Sequence, residues 1–76
     1  MKETLEIIIK SLVDDKDSVS ITEKEEANAI TLEVRVKESD MGKVIGKQGK
    51  IAKSIRTVMK SIAGKENKKI SVEFID

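Results

Sequence analysis

Between Ile30 and Lys37 the chain alternates without interruption: Ile30, Leu32, Val34 and Val36 are apolar, and Thr31, Glu33, Arg35 and Lys37 are polar. Side chains of a strand point to opposite faces in turn, so this run makes a strand with one buried face and one wet face. Such a strand needs pairing neighbours and a layer of helices over its apolar side. Upstream, Val19 and Ile21 alternate with Ser18, Ser20 and Thr22, and the polar stretch Glu23 to Asn28 reads as the turn of a hairpin. Downstream, Ile70, Val72 and Phe74 repeat the two-residue period and predict a closing strand.

The remaining segments carry helical periodicity. Leu5, Ile8, Ile9, Leu12 and Val13 form one stripe of an amphipathic helix that ends near Asp14-Asp15. A short helical stretch, Met41 to Ile45, precedes Gly46-Lys47-Gln48-Gly49, and a longer helix follows to about Ala63. At about 100° per residue, Ile51, Ala52, Ile55, Val58, Met59, Ile62 and Ala63 share one arc of that helix. Lys50, Lys53, Arg56 and Lys60 share the opposite arc. Gly64 falls where a C-cap is expected, and Lys65 to Lys69 connects to the last strand. The expected order is helix, strand, strand, helix, helix, strand. The last two strands can run parallel because a helical crossover joins them. The result is a two-layer α+β sandwich, with a three-stranded mixed sheet under three helices. Thr31, Glu33, Arg35, Ser71 and Glu73 lie on its wet face.

Seventy-six residues hold one domain and no second lobe. A core of this size leaves only about 3–5 kcal/mol, so association with a second copy or a partner is an expectation of size alone. The chain has no cysteine and no histidine, which removes disulfides, thiol nucleophiles, Ser-His-Asp triads and the usual zinc ligands. No carboxylate pair or activated nucleophile can be placed in a pocket, so the expectation is a non-enzyme without metal, cofactor or small-molecule substrate. Asp14-Asp15-Lys16-Asp17 lacks the spacing of a calcium loop and sits where a helix must end. Glu3, Glu6 and Lys10 interrupt the first apolar segment, and no run approaches a membrane span, so a cytoplasmic protein is expected. Met41 and Met59 read as core filling, and Ile7 and Ile75 fall off the buried faces.

A net charge of +1 conceals a strong asymmetry. Residues 1–40 carry six basic and eleven acidic side chains; residues 41–69 carry nine basic ones and only Glu66 acidic. The basic block coincides with the glycine-bounded loop and the charged arc of the long helix, which is where a polyanion would be held. Two glycines permit a tight turn with positive φ and close approach of another backbone. Unpaired amides at the start of the next helix attract phosphate, and Lys47 and Lys50 add charge at the same place. The spacing is not that of a phosphate-binding Walker loop or of a dinucleotide fingerprint: Gly42, Gly46 and Gly49 give Gly-x-x-x-Gly-x-x-Gly, and Lys47 is followed by Gln48. A sheet that stacks bases is also disfavoured, since Phe74 is the only aromatic residue and its phase points it inward.

Val44-Ile45-Gly46-Lys47-Gln48-Gly49, followed by an apolar-periodic helix, resembles the signature of KH domains. The element order matches their type II arrangement, and the chain from 1 to 76 is similar to the small stand-alone bacterial KH proteins of the KhpA family. The resemblance implies a groove for about four nucleotides of single-stranded RNA. In that groove Gly46, Lys47, Gln48 and Gly49 would clamp the backbone. Val44, Ile45, Ala52 and Ile55 would match the apolar floor and the packing beneath it, and Ile70 the far wall. Ala52 stands where the family often has a larger aliphatic residue, which implies a shallower floor. The charge pattern adds Lys43, Lys50, Lys53 and Arg56 to the expected contacts. The resemblance further implies a role as an RNA chaperone or post-transcriptional regulator, as a homodimer or beside a larger Jag-like protein with its own KH domain. The alternative reading is a protein-interaction or dimerisation module whose basic face docks an acidic partner.

Overall fold

A computed structural model describes residues 1–75. Its elements are α1 (Lys2–Leu12), β1 (Ser20–Glu26), β2 (Ala29–Arg35), α2 (Met41–Ile45), α3 (Lys50–Lys65) and β3 (Lys69–Ile75). Short 3-10 turns lie at Lys16–Ser18, Glu38–Asp40 and Lys47–Gly49. The sheet order is β1-β2-β3, with β1 antiparallel and β3 parallel to the central β2. This is the α-β-β-α-α-β sandwich of the type II KH arrangement.

The alternating run does what its period requires. Ile30, Leu32 and Val34 of β2 are buried against the helices, while Thr31, Glu33 and Arg35 lie on the other face. Register pairs Leu32 with Val72 and Ile30 with Ile70 across the parallel ladder, so the apolar residues of both strands share the inner side. Leu5 and Ile9 from α1, Val44 from α2, and Ile55, Met59 and Ala63 from α3 close over them. Phe74 and Met41 are half-buried at the margin of this core. Ile7 is exposed, as its phase requires.

Two boundaries and one facing differ from those the sequence suggests. Glu23 to Glu26 is strand and not turn: Glu23 pairs with Leu32 and Glu25 with Ile30, leaving only Ala27 and Asn28 outside the hairpin ladder. Backbone pairing needs no apolar side chain, so a charged edge strand is invisible to a periodicity count. Val58 is 47% exposed although it was expected on the buried arc. It lies roughly 100° round the helix from the centre of the Ala52, Ile55, Met59 and Ala63 stripe, beyond the reach of the sheet. Gly64, finally, is helical and not a cap. α3 continues to Lys65, and Asn67 takes the left-handed conformation at φ 57°. The Lys68 amide then donates to the Ala63 carbonyl at 3.0 Å and the Asn67 amide to Gly64 at 3.2 Å, the bond pair of a Schellman ending.

The one buried charged side chain among the described residues is Asp40, 2% exposed at the entry to α2. Its Oδ2 accepts the Asp15 amide at 2.9 Å, and Lys43 Nζ lies 3.4 Å from its Oδ1. Lys43 also binds Asp14. The segment after α1 is thereby tied to the start of α2. The Asp15 amide, then the Asp14 amide and Lys43, hold the Asp40 carboxyl below the ordinary carboxylate range, against burial that pushes it upward. Lys43 is held above its ordinary value, chiefly by Asp14.

Two outcomes are expected. Replacing Gly64 with Ala places a Cβ in open space within a helix, and should raise stability by about 0.5–1 kcal/mol in urea denaturation; were Gly64 a left-handed cap, the same change would lower it. A depressed carboxylate contributes stability above its unfolded value, near pH 4, and loses it as the pH falls through the folded value. Asp40→Asn should therefore be less stable than the parent at pH 7. The gap should close as urea midpoints are followed from pH 5 down to pH 2.

Candidate nucleic-acid interface

The loop between α2 and α3 is built around two left-handed glycines. Gly46 has φ 76° and ψ 176°, a region that residues with a side chain essentially do not enter. A Cβ there would also stand 2.6 Å from Cγ1 of Ile51. Ile51 therefore packs onto bare backbone, and this close approach folds α3 back against the end of α2. The Gly46 amide donates to Gly42 at 2.9 Å and the Gly49 amide to Gly46 at 3.2 Å, so the loop is a closed pair of turns. Gln48 adopts φ 57° and Gly49 φ 74°. This geometry leaves Lys47 and Gln48 exposed at the tip. Gly49 supplies no side-chain cap to α3, so the first amides of that 16-residue helix have no side-chain acceptor.

The expected contacts divide once they are placed. Gly46, Lys47, Gln48, Gly49 and Lys50 gather at the loop, and Lys53 and Arg56 continue along the exposed side of α3. Val44 is fully buried, and Ala52 and Ile55 are 2% and 5% exposed, so these three pack beneath the surface. Ile45 and Ile51 are half-buried and form what apolar surface the loop region offers. Lys43 is drawn away from it: its ammonium is paired with Asp14 and Asp40, which a charge count along the sequence does not reveal. The same pairing, with Asp15 accepting from the Ser18 amide and hydroxyl, disperses the Asp14-Asp15-Lys16-Asp17 cluster.

Running away from the loop, α3 lies alongside the outer edge of β3. Arg56, Lys60, Ile70, Ser71 and Val72 line an open recess of about 260 Å³ between helix and strand. A second recess, bounded by Lys60, Lys68, Lys69, Ile70 and Ser71, continues it toward the C-terminal end of α3. Lys50, Lys53, Arg56 and Lys60 thus span about 15 Å of helix, from the loop to the far recess. Lys60, Ser71 and Lys69 were not among the expected contacts. Lys60 was already visible on the charged arc, whereas the two β3 residues became neighbours of α3 only through the parallel pairing. Lys68 Nζ is 2.9 Å from Glu25, and that hydrogen bond holds its ammonium above the ordinary value.

A model of the family described as KhpA/KhpB, KH domain, matches residues 2–74. The chain is similar to the RNA-binding protein KhpA of Clostridium perfringens, 59% identical over 75 residues that cover 99% of this chain and all of that protein. The RNA-binding protein KhpA of Clostridium acetobutylicum is 57% identical over the same shares. That of Listeria monocytogenes is 45% identical over the full length of both. No solved structure matches the chain. Matched from end to end by the family and by relatives of its own length, the chain belongs to the KhpA/KhpB family of KH domains.

Proposed function

We propose that this protein binds single-stranded RNA along a track that begins at the Gly46–Gly49 loop and follows α3 beside the outer edge of β3. One observation carries the reading: the loop, the uncapped start of α3 and the recess beside β3 lie on one continuous exposed side of the molecule, with Lys47, Lys50, Lys53, Arg56 and Lys60 along it. Phosphates meet loop and helix amides together with the lysines, where the helix dipole favours anions. Unpaired bases lie in the groove over Ile45, Ile51 and the edge of Ile70. A groove of this length takes about four nucleotides. Base contacts here are few beside the charged ones, so affinity derives mainly from backbone capture. That character suits an RNA chaperone or post-transcriptional regulator working on many messages, in the cytoplasm. The relatives named RNA-binding protein KhpA support RNA as the ligand.

The acidic-partner reading uses the same basic side and has no observation of its own in its favour. The two readings separate at the loop. Lys47→Asp combined with Gln48→Asp leaves the core untouched, because both side chains are exposed. The double variant should keep its circular dichroism spectrum and lose at least tenfold in affinity for fluorescent single-stranded RNA. If both proteins bind alike, the loop is not the clamp. For the parent protein, about three to four neutralised phosphates give a slope of log K against log salt of roughly −2 to −3. An affinity independent of salt would contradict the reading.

A further inference from the structure

Arg56 differs from the lysines around it in being held at two points of its guanidinium. Its Nε donates to the main-chain carbonyl of Val72 at 3.1 Å, and its Cζ sits 5.4 Å from the centroid of the Phe74 ring. That carbonyl lies on the outer edge of the sheet. In the parallel ladder the Lys69 amide turns inward, donating to Asn28, so Lys69, Ser71 and Glu73 face β2 while Ile70, Val72 and Phe74 direct both backbone groups outward. Arg56 thus bridges α3 and β3 across the recess that it lines with Lys60 and Ile70. An arginine free to swing would only add charge. This one has surrendered Nε and lies over an aromatic face, so its two terminal amino groups are held as a planar pair of donors; they make no hydrogen bond among the described residues.

From this placement we infer that Arg56 selects the base at the middle of the groove, favouring one with two acceptors on a single edge, guanine above all, and disfavouring adenine. The inference rests on the RNA reading above and adds a base preference to it. Guanine presents O6 and N7 side by side, which match a guanidinium fork; adenine presents N7 beside an amino donor. Of the outward carbonyls of β3, the one beside the Arg56 guanidinium is that of Val72, and Arg56 already donates to it. At that point the wall offers donors: the Arg56 amino groups and the Lys60 ammonium.

The test uses short single-stranded RNAs that are abasic except for two adjacent central bases, guanine, uracil or adenine, titrated into the parent, Arg56→Gln and Arg56→Lys. The parent should bind the guanine RNA about tenfold more tightly than the adenine RNA, the discrimination of one bidentate contact, with uracil between. Arg56→Gln should bring guanine and adenine within about twofold, because the fork is lost and the Val72 carbonyl is uncovered. Arg56→Lys should retain the parent's salt slope yet weaken the preference, because the ammonium keeps the charge without the fixed planar fork, which separates geometry from charge. Equal binding of the three RNAs by the parent, or a guanine preference that survives Arg56→Gln, overturns the inference while leaving RNA binding intact. Failure of the parent to bind any of them at low salt overturns the RNA reading and this inference with it. Circular dichroism of each variant guards against unfolding, and a variant that binds the loop-dependent backbone alone, with parent salt slope, reports a folded domain directly.

Discussion

The parallel pairing of β2 with β3 is the constraint on which the rest of the molecule depends. Parallel strands cannot be joined by a tight turn, and the connection must travel the length of the sheet and return. In this chain α2, the glycine loop and α3 are that connection. Since the crossover starts at the end of β2 and must deliver the chain to the start of β3, α3 is obliged to run back alongside β3. The strand is an edge strand, so half of its backbone groups face the helix across a gap and not another strand. A recess between a helical wall and a hydrogen-bonding strand wall follows from topology, before any side chain is chosen; Lys50, Lys53, Arg56 and Lys60 then charge the helical wall.

Two local devices set the crossover's geometry. At its entry, the buried Asp40 carboxylate gathers the Asp15 amide and Lys43, fixing the end of the α1 segment to the start of α2. Burial of a charge is unfavourable unless it is fully partnered, and Asp40 has partners from both sequence-distant segments, so the contact discriminates this docking of α1 from looser ones. At the bend, Ile51 rests on the bare backbone of Gly46. The first device is polar and orients; the second is steric and brings two helix ends within contact. The loop's exposed tip is a consequence: with Gly46 and Ile51 facing inward, Lys47 and Gln48 have nowhere to go but outward.

Much of this was legible in the residues, for reasons that differ by element. β2 and α3 were readable because one face of each is buried by a single neighbour, which imposes a clean period. The loop was readable because glycine pairs have few physical uses at that spacing, and both glycines take positive φ. The edge strand β1 was only partly readable: past Ile21 its side chains are all exposed, so nothing but backbone pairing holds Glu23 to Glu26 in the sheet. The end of α3 was misread because Gly64 is the residue that usually terminates a helix, whereas Asn67, which also tolerates the left-handed conformation, does so three residues later. Lys43 and Arg56 mark the limit of a charge count. Both stand in the basic block, yet one is bound to carboxylates from the acidic half and the other to a strand carbonyl. Asp14 is 29 residues from Lys43 and Val72 is 16 from Arg56 in sequence.

That redistribution sharpens the electrostatics of the proposed track. Lys43 and Lys68 place their charge against Asp14, Asp40 and Glu25, which neutralises the border between the basic and acidic halves. Lys47, Lys50, Lys53 and Lys60 have no carboxylate partner among the described residues and all stand on the loop and α3. Glu33 and Glu73, paired across the β2–β3 ladder, lie on the opposite face of the sheet. The domain is 18 Å across its shortest dimension, about two Debye lengths at physiological ionic strength. A polyanion approaching the helical side therefore senses the lysines with little opposition from the carboxylates behind them. The sheet's outer face carries Glu33 and Glu73 together with Lys24, which is 3.5 Å from Glu33, and Arg35. A chain of near-zero net charge can in this way gather its unpaired positive charge along one flank.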